Sequence, residues 1–184
     1  MLLLLAACTA RLPDPLPDQP HVDYAREHKA WTRELQLVVD LETRLMLEAT
    51  LLTPELAEAQ ALTLARARMD EPTVYEARRK ELLDRSEEAW SLVLTTTGTE
   101  QSDDTLSIDG SQDWTVLMEA DGRRLTPLSL EEVREPTADD VLLYPQADRW
   151  ARMWQITFER AIATELVLIV AGPRGNGSLT WELR

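Results

Sequence analysis

One thiol, two imidazoles and a large excess of carboxylates are what this 184-residue sequence offers for chemistry. Cys8 is the only cysteine, and His21 and His28 are the only histidines. So few soft ligands cannot be assembled into a structural or catalytic zinc site. A Ser-His-Asp triad would have to draw its base from the N-terminal end of the chain, where both histidines are expected to be solvated. No Gly-x-Ser-x-Gly elbow occurs, and no glycine-rich loop leads from a strand into a helix to cradle phosphate; residues 172–177 lie between two apolar runs and read as a hairpin. With 33 acids against 19 basic residues, any chosen pair of carboxylates for glycoside hydrolysis is uninformative. The expectation is therefore no catalytic residue, no cofactor and no metal, with enzymatic activity disfavoured.

Two weaker signals concern binding. Residues 100–113, EQSDDTLSIDGSQD, hold acids without a basic residue, but they lack the regular acid spacing and terminal glutamate of an EF-hand. A flexible acidic loop that keeps a sheet edge soluble is the better account. The other signal is tryptophan. Trp114, Trp154 and Trp181 alternate with polar residues and belong on buried strand faces, whereas Trp150, in Asp148-Arg149-Trp150-Ala151-Arg152, fits no such pattern and is the candidate for a surface contact.

The charge balance narrows the partners. A net charge of -14, with Lys29 and Lys80 the only lysines, repels phosphate backbones and anionic head groups. Nucleic acid is excluded as a probable partner, and any membrane association has to come from lipid and not from electrostatic attraction.

Four segments must position these residues: 1–8, apolar; 9–21, proline-rich; 22–90, helical in pattern; and 91–184, strand-like in pattern. Prolines at 13, 15, 17 and 20 withhold backbone donors, so residues 9–20 are expected to be extended, at about 3.1 Å per residue. From Val22, the residues Tyr24, Trp31, Leu35, Val38, Leu41, Leu45 and Leu52 recur at steps of three, four or seven and predict one long helix. Thr53-Pro54-Glu55 then caps a second helix from Pro54 to about Met69. Thr73-Val74-Tyr75-Glu76 has capping-box spacing for a third, ending near Trp90. Beyond it the period changes to two. Residues 91–97, 114–118, 154–158, 165–171 and 179–183 read as strands, with Asp121-Gly122 as a hairpin turn and the last three strands as an antiparallel meander. Ser129-x-x-Glu132 fits either a capping box or a strand. The predicted fold is α+β: an N-terminal three-helix segment packed on a C-terminal antiparallel β-sandwich of six to eight strands, with residues 22–184 forming one folded unit.

The first eight residues, MLLLLAAC, carry the one family resemblance. Leu5-Ala6-Ala7-Cys8 resembles the lipobox of bacterial lipoproteins, in which a leucine and two small residues precede a cysteine that receives lipid and becomes the mature N-terminus. No Lys or Arg precedes Arg11, so the segment is a truncated signal peptide. Either translation starts upstream of Met1, or the stretch is a short apolar N-terminus outside any secretion route. The resemblance implies lipid attachment at Cys8, a membrane anchor labelled by palmitate, and location in the cell envelope. Thr9, in place of the aspartate that favours inner-membrane retention in enterobacterial lipoproteins, points to the outer membrane.

Three functions are compatible with these observations. The leading one is a non-enzymatic, membrane-anchored envelope lipoprotein that binds a protein or forms part of an envelope assembly. The second is a glycan-binding or glycan-cleaving lipoprotein, which needs a solvent-facing tryptophan beside carboxylates. The third is a cytosolic acidic protein whose lipobox is accidental.

Overall fold

The structure is a computed structural model that describes residues 14–39, 41–98, 105–147 and 150–183. Four helices and ten strands occur in them, in the order α1 (Tyr24–Trp31), β1 (Thr32–Val39), β2 (Glu42–Leu52), α2 (Pro54–Arg68), α3 (Pro72–Glu88), β3 (Ala89–Gly98), β4 (Leu106–Ser107), β5 (Trp114–Ala120), β6 (Arg123–Arg124), β7 (Pro127–Val133), α4 (Ala138–Leu143), β8 (Arg152–Glu159), β9 (Glu165–Gly172) and β10 (Gly175–Glu182). The chain is α+β, with two sheets of mostly antiparallel strands. One sheet has the order β1-β2-β3-β8-β7; the other runs β10-β9-β5-β4, with β6 paired to β5.

The first predicted helix is replaced by a short helix and a hairpin. α1 ends at Trp31, and Thr32–Leu52 form β1 and β2 in antiparallel register, with Leu35 opposite Leu47 and Leu37 opposite Leu45. The physical reason is the alternation hidden in the same residues. Leu35, Leu37, Leu45, Leu47, Ala49 and Leu51 occupy every second position and point into the space between the sheets, while Gln36, Met46 and Glu48 point away. The apolar side chains of this stretch therefore divide between the two faces: Leu37 and Leu51 are buried and Met46 is exposed. Leu41 makes the turn with φ 66 and is 99% exposed.

The second and third helices form, with one change of cap. Thr53 accepts a hydrogen bond from the Leu56 amide at 3.3 Å, as an N-cap should. α3 begins at Pro72 with Glu71 as its N-cap and no side-chain cap bond, so Thr73 sits inside the helix and the Thr73-x-x-Glu76 box is not used; proline at the first position needs no amide partner. Ala57, Ala61 and Ala65 recur one turn apart on α2, all fully buried, and Ala61 and Ala65 cluster with Tyr75 of α3. Leu64 of α2 joins Val93, Met153, Leu143 and Tyr144 in a cluster on the outer face of the first sheet. The proline-rich stretch is not free of the folded unit from Asp14 onward: Leu16 is 3% exposed, packed with Ala61, Leu62, Ala65 and Tyr75. Arg66 fixes the stretch through Asp14 and the carbonyls of Gln19 and Pro20. The prolines exclude a helix there, but the described part of the stretch is not extended as expected: the Gln19 amide donates to the Leu16 carbonyl at 3.1 Å and closes a turn beside the buried leucine.

The strand half follows the period-two pattern more closely. Ser129–Glu132 is strand β7, with Ser129 and Thr157 hydroxyls 2.7 Å apart across to β8. The capping box lies later, at Thr137 and Asp140, and starts α4. Asp121 and Gly122 both have positive φ and close the β5–β6 hairpin. β9 is flanked by β10 and β5, the central place expected of it. The closing meander is not formed: β9 and β10 pair, whereas β8 pairs with β3 and β7 in the other sheet. The connection through residues 160–164 carries the chain from one sheet to the other, and side chains from both sheets meet in one core that contains Trp114, Trp154, Trp181, Phe158 and Leu168.

Candidate functional site

Cys8 lies outside the described residues, as do Glu100 to Asp104 of the acidic loop. Its described acids serve turn geometry: Asp109 accepts the Ser111 amide at 2.9 Å, and Asp113 accepts the Thr105 hydroxyl at 3.2 Å. Hydrogen bonding from Ser111 holds the Asp109 carboxyl below its ordinary value. No group of three or more His, Cys, Asp or Glu side chains suited to a metal ion occurs among the described residues.

Of the tryptophans of the strand half, Trp114, Trp154 and Trp181 are buried and Trp150 is 69% exposed. The Trp154 and Trp181 indoles are tied in place, donating to Thr96 Oγ1 at 2.9 Å and to the Trp31 carbonyl at 2.8 Å. Trp150 stands two residues before β8. Leu45 pairs with Gly98 and Thr96 with Arg152, so Trp150 lies at the same end of the first sheet as the β1–β2 turn and its Leu41. Exposed Val38 and Met46 flank that turn. This end gathers several of the large apolar side chains that the fold leaves in solvent.

A groove that the sequence did not announce crosses the outer face of β1 and β2. Glu34 and Glu48 face each other directly in the register of the hairpin. They line two adjoining concavities of about 350 and 410 Å³, the first reaching Met46 and Thr97 and the second reaching His28 and Gln146. Burial raises the Glu48 carboxyl, and the charge of Glu34 adds to the effect. His21 is exposed, as expected, but His28 is half-buried between the rings of Tyr24 and Tyr144, and burial pushes its imidazole down. The predicted solvated pair of histidines is thus one solvated and one half-buried, because the short α1 packs against β2 and α2 instead of extending into solvent. A neutral imidazole and paired carboxylates can attract a cation; they lack the nucleophile-and-base contact of covalent catalysis.

A third concavity, of about 210 Å³, lies between the outer face of β3 and helices α2, α3 and α4. Gln60 Nε2 donates to the Tyr144 hydroxyl at 2.9 Å within its wall, and Arg85 donates to Gln155 Oε1 at 3.2 Å at its rim. Asp139 there pairs with Arg68, and Asp140 accepts the amide and hydroxyl of Thr137, the N-cap of α4, so the two rim acids are occupied. Gln60 was legible in principle: it sits one turn from Leu56 and from Leu64, on the buried stripe of α2, where a polar side chain requires a partner.

No known family model matches the chain, and no curated protein matches it.

Proposed function

We propose that this chain is a non-enzymatic lipoprotein of the bacterial cell envelope, lipidated on Cys8 and binding a protein partner through the end of the molecule that carries Leu41 and Trp150. The exposure of Leu41 and Trp150 at one end of the same sheet carries the binding part of this reading: two large apolar side chains in solvent, beside Val38 and Met46, are what a protein-contact surface presents before it is covered. The two sheets, read as an antiparallel sandwich, supply a rigid support for them. The anchor rests on Leu5-Ala6-Ala7-Cys8, with Thr9 favouring the outer membrane. No helix of the described residues is long and apolar enough to cross a membrane. Because Asp14 is held by Arg66 near the end of α2, a lipid on Cys8 would lie within roughly 20 Å of that helix end at the maximal reach of the chain. The helical layer would then stand beside the membrane.

The exposed Trp150 also favours the glycan-binding alternative, but its indole lines neither the Glu34/Glu48 groove nor the helix–sheet cavity. Metabolic labelling with a palmitate analogue tests the anchor: the wild type is expected to incorporate label and sediment with membranes, and Cys8→Ala to lose both. Membrane association without label would defeat the lipoprotein reading, and a soluble unlabelled wild type would favour the cytosolic one. A photo-crosslinking residue at position 150 in the native host is expected to give one discrete protein adduct that Leu41→Asp abolishes.

A further inference from the structure

Three polar side chains without a partner stand in one row on the outer face of the first sheet. Glu34 of β1 is opposite Glu48 of β2, and Glu48 is opposite Thr95 of β3. Neighbouring strands lie about 4.8 Å apart, so the three side chains can converge on one bound group. All three line the first concavity of the groove, about 350 Å³ in volume. Thr95 is 4% exposed, and its hydroxyl makes no hydrogen bond among the described residues. Trp90 Nε1 and Ser91 Oγ are the polar side-chain atoms that those residues seal off without a partner; the Thr95 oxygen is not sealed in this way, and the space it keeps open is the groove. Neither carboxylate has an ion pair or a side-chain hydrogen bond among the described residues. The nearby cations do not change this. Arg33 donates its guanidinium to the carbonyls of Thr180, Ala30 and Thr32, and Lys29 lines the second concavity and not the first. The charge that acts on the half-buried Glu48 is that of Glu34. Like charges directly opposite each other weaken a sheet, and a glutamine in place of either acid would relieve the repulsion within the fold.

We propose that this row is a binding site for a primary ammonium group at the end of an apolar stem, the nitrogen donating to the Glu34 and Glu48 carboxylates and to the Thr95 hydroxyl while the stem lies over exposed Met46. An ammonium carries three N–H donors and no acceptor, which matches two carboxylates and an open hydroxyl. A quaternary ammonium is recognised by aromatic faces, and no aromatic side chain lines this concavity. Calcium takes six to eight oxygens arranged around it, whereas these stand along an open row. A lysine side chain and a free alkylamine share the chemistry of the site. Binding here goes beyond the Leu41/Trp150 contact and does not depend on the anchor.

The test uses the full-length chain carrying Cys8→Ala, without detergent, at neutral pH and low salt. Titration with n-pentylammonium chloride is expected to give saturable two-dimensional NMR shifts at residues of β1, β2 and β3, and 1-pentanol, similar in shape but uncharged, to give none. Glu48→Gln should weaken n-pentylammonium about tenfold and Thr95→Val about fivefold, the loss of a carboxylate's charge and of one hydroxyl acceptor. Both replacements nearly conserve shape, and Glu48→Gln relieves the like-charge pair, so each variant tests the site and not the fold. A lysine peptide blocked at both ends distinguishes the two sources: binding tighter than that of n-pentylammonium assigns the site to a lysine of a polypeptide, and weaker binding to a free amine. No saturable shifts with either amine, equal shifts with 1-pentanol, binding indifferent to Glu48→Gln or to Thr95→Val, or calcium chloride saturating the same residues at lower concentration would overturn the proposal.

Discussion

Glu34 and Glu48 meet across the first hairpin as a like-charge pair, an arrangement that disfavours a sheet by a few tenths to about 1 kcal/mol. Burial and the neighbouring charge raise the Glu48 carboxyl above its ordinary value of 4.5, so the folded protein binds a proton there more readily than the unfolded chain does. The charged form therefore works against the fold at neutral pH. That penalty is in full force above the raised pKa, is released as pH falls through it, and is gone below the ordinary value. Glu48→Gln should raise stability at pH 7 by up to about 1 kcal/mol, with the gain vanishing near pH 4. Urea denaturation at the two pH values measures this, and a gain of equal size at both would show that the raised carboxyl is not its origin. Single residues were legible in the sequence to the extent that alternation marks them. Trp114, Trp154 and Trp181 took their buried places because their strands alternate, whereas Glu34 and Glu48 could not be paired until the hairpin was known.

The hairpin itself shows why an element can be misread while its residues are read correctly. Trp31, Leu35, Val38, Leu41, Leu45 and Leu52 do recur at helical steps, but the stronger pattern in the same stretch is the alternation from Leu35 to Leu37 and from Leu45 to Leu51. The sequence between the two runs lacks the glycine or asparagine that normally announces a turn. Leu41 holds the left-handed conformation instead, a place few leucines occupy. The strand half carried its punctuation openly, in Asp121-Gly122 and in Gly172 and Gly175, which end β9 and begin β10. Gly172 does more than end β9. An added Cβ there would lie 2.3 Å from the Asp113 carbonyl oxygen and 2.8 Å from the Trp114 ring, and the carbonyl belongs to backbone that cannot turn aside. Gly172→Ala should therefore destabilise the protein by about 1–3 kcal/mol. Gly122→Asn, at an open position with φ 78, should be close to neutral, since asparagine tolerates that conformation. Thermal melts of the two variants separate collision from backbone preference; equal losses would mean that the approach of Asp113 to Gly172 does not constrain the fold.

At the scale of the whole molecule, the boundary read between a helical half at residues 22–90 and a strand half at 91–184 cuts through β3. On one side β3 pairs with β2, Ser91 to Leu52 and Leu94 to Ala49; on the other it pairs with β8, Ala89 to Glu159 and Leu94 to Trp154. A fragment of residues 91–184 would lose β1 and β2 and present β3 as an unprotected edge rich in β-branched residues, a geometry that invites association. Its outer face would lose α2, leaving Val93 and Met153 wet, while its inner face would lose the leucines of β2 that pack with Trp181 and Leu168. The complementary fragment fares no better, because a lone β1–β2 hairpin is at best marginally stable without the sheet it completes. The expected outcome is an insoluble or poorly folded product from residues 91–184, and one cooperative urea transition, coincident by tryptophan fluorescence and circular dichroism, for the full chain. Trp90 and Trp31 report the first half and Trp114 and Trp181 the second, so single-tryptophan variants can follow the two halves separately. A well-dispersed NMR spectrum from the 91–184 fragment, or two separated transitions in the full chain, would show that the halves fold independently despite sharing the first sheet.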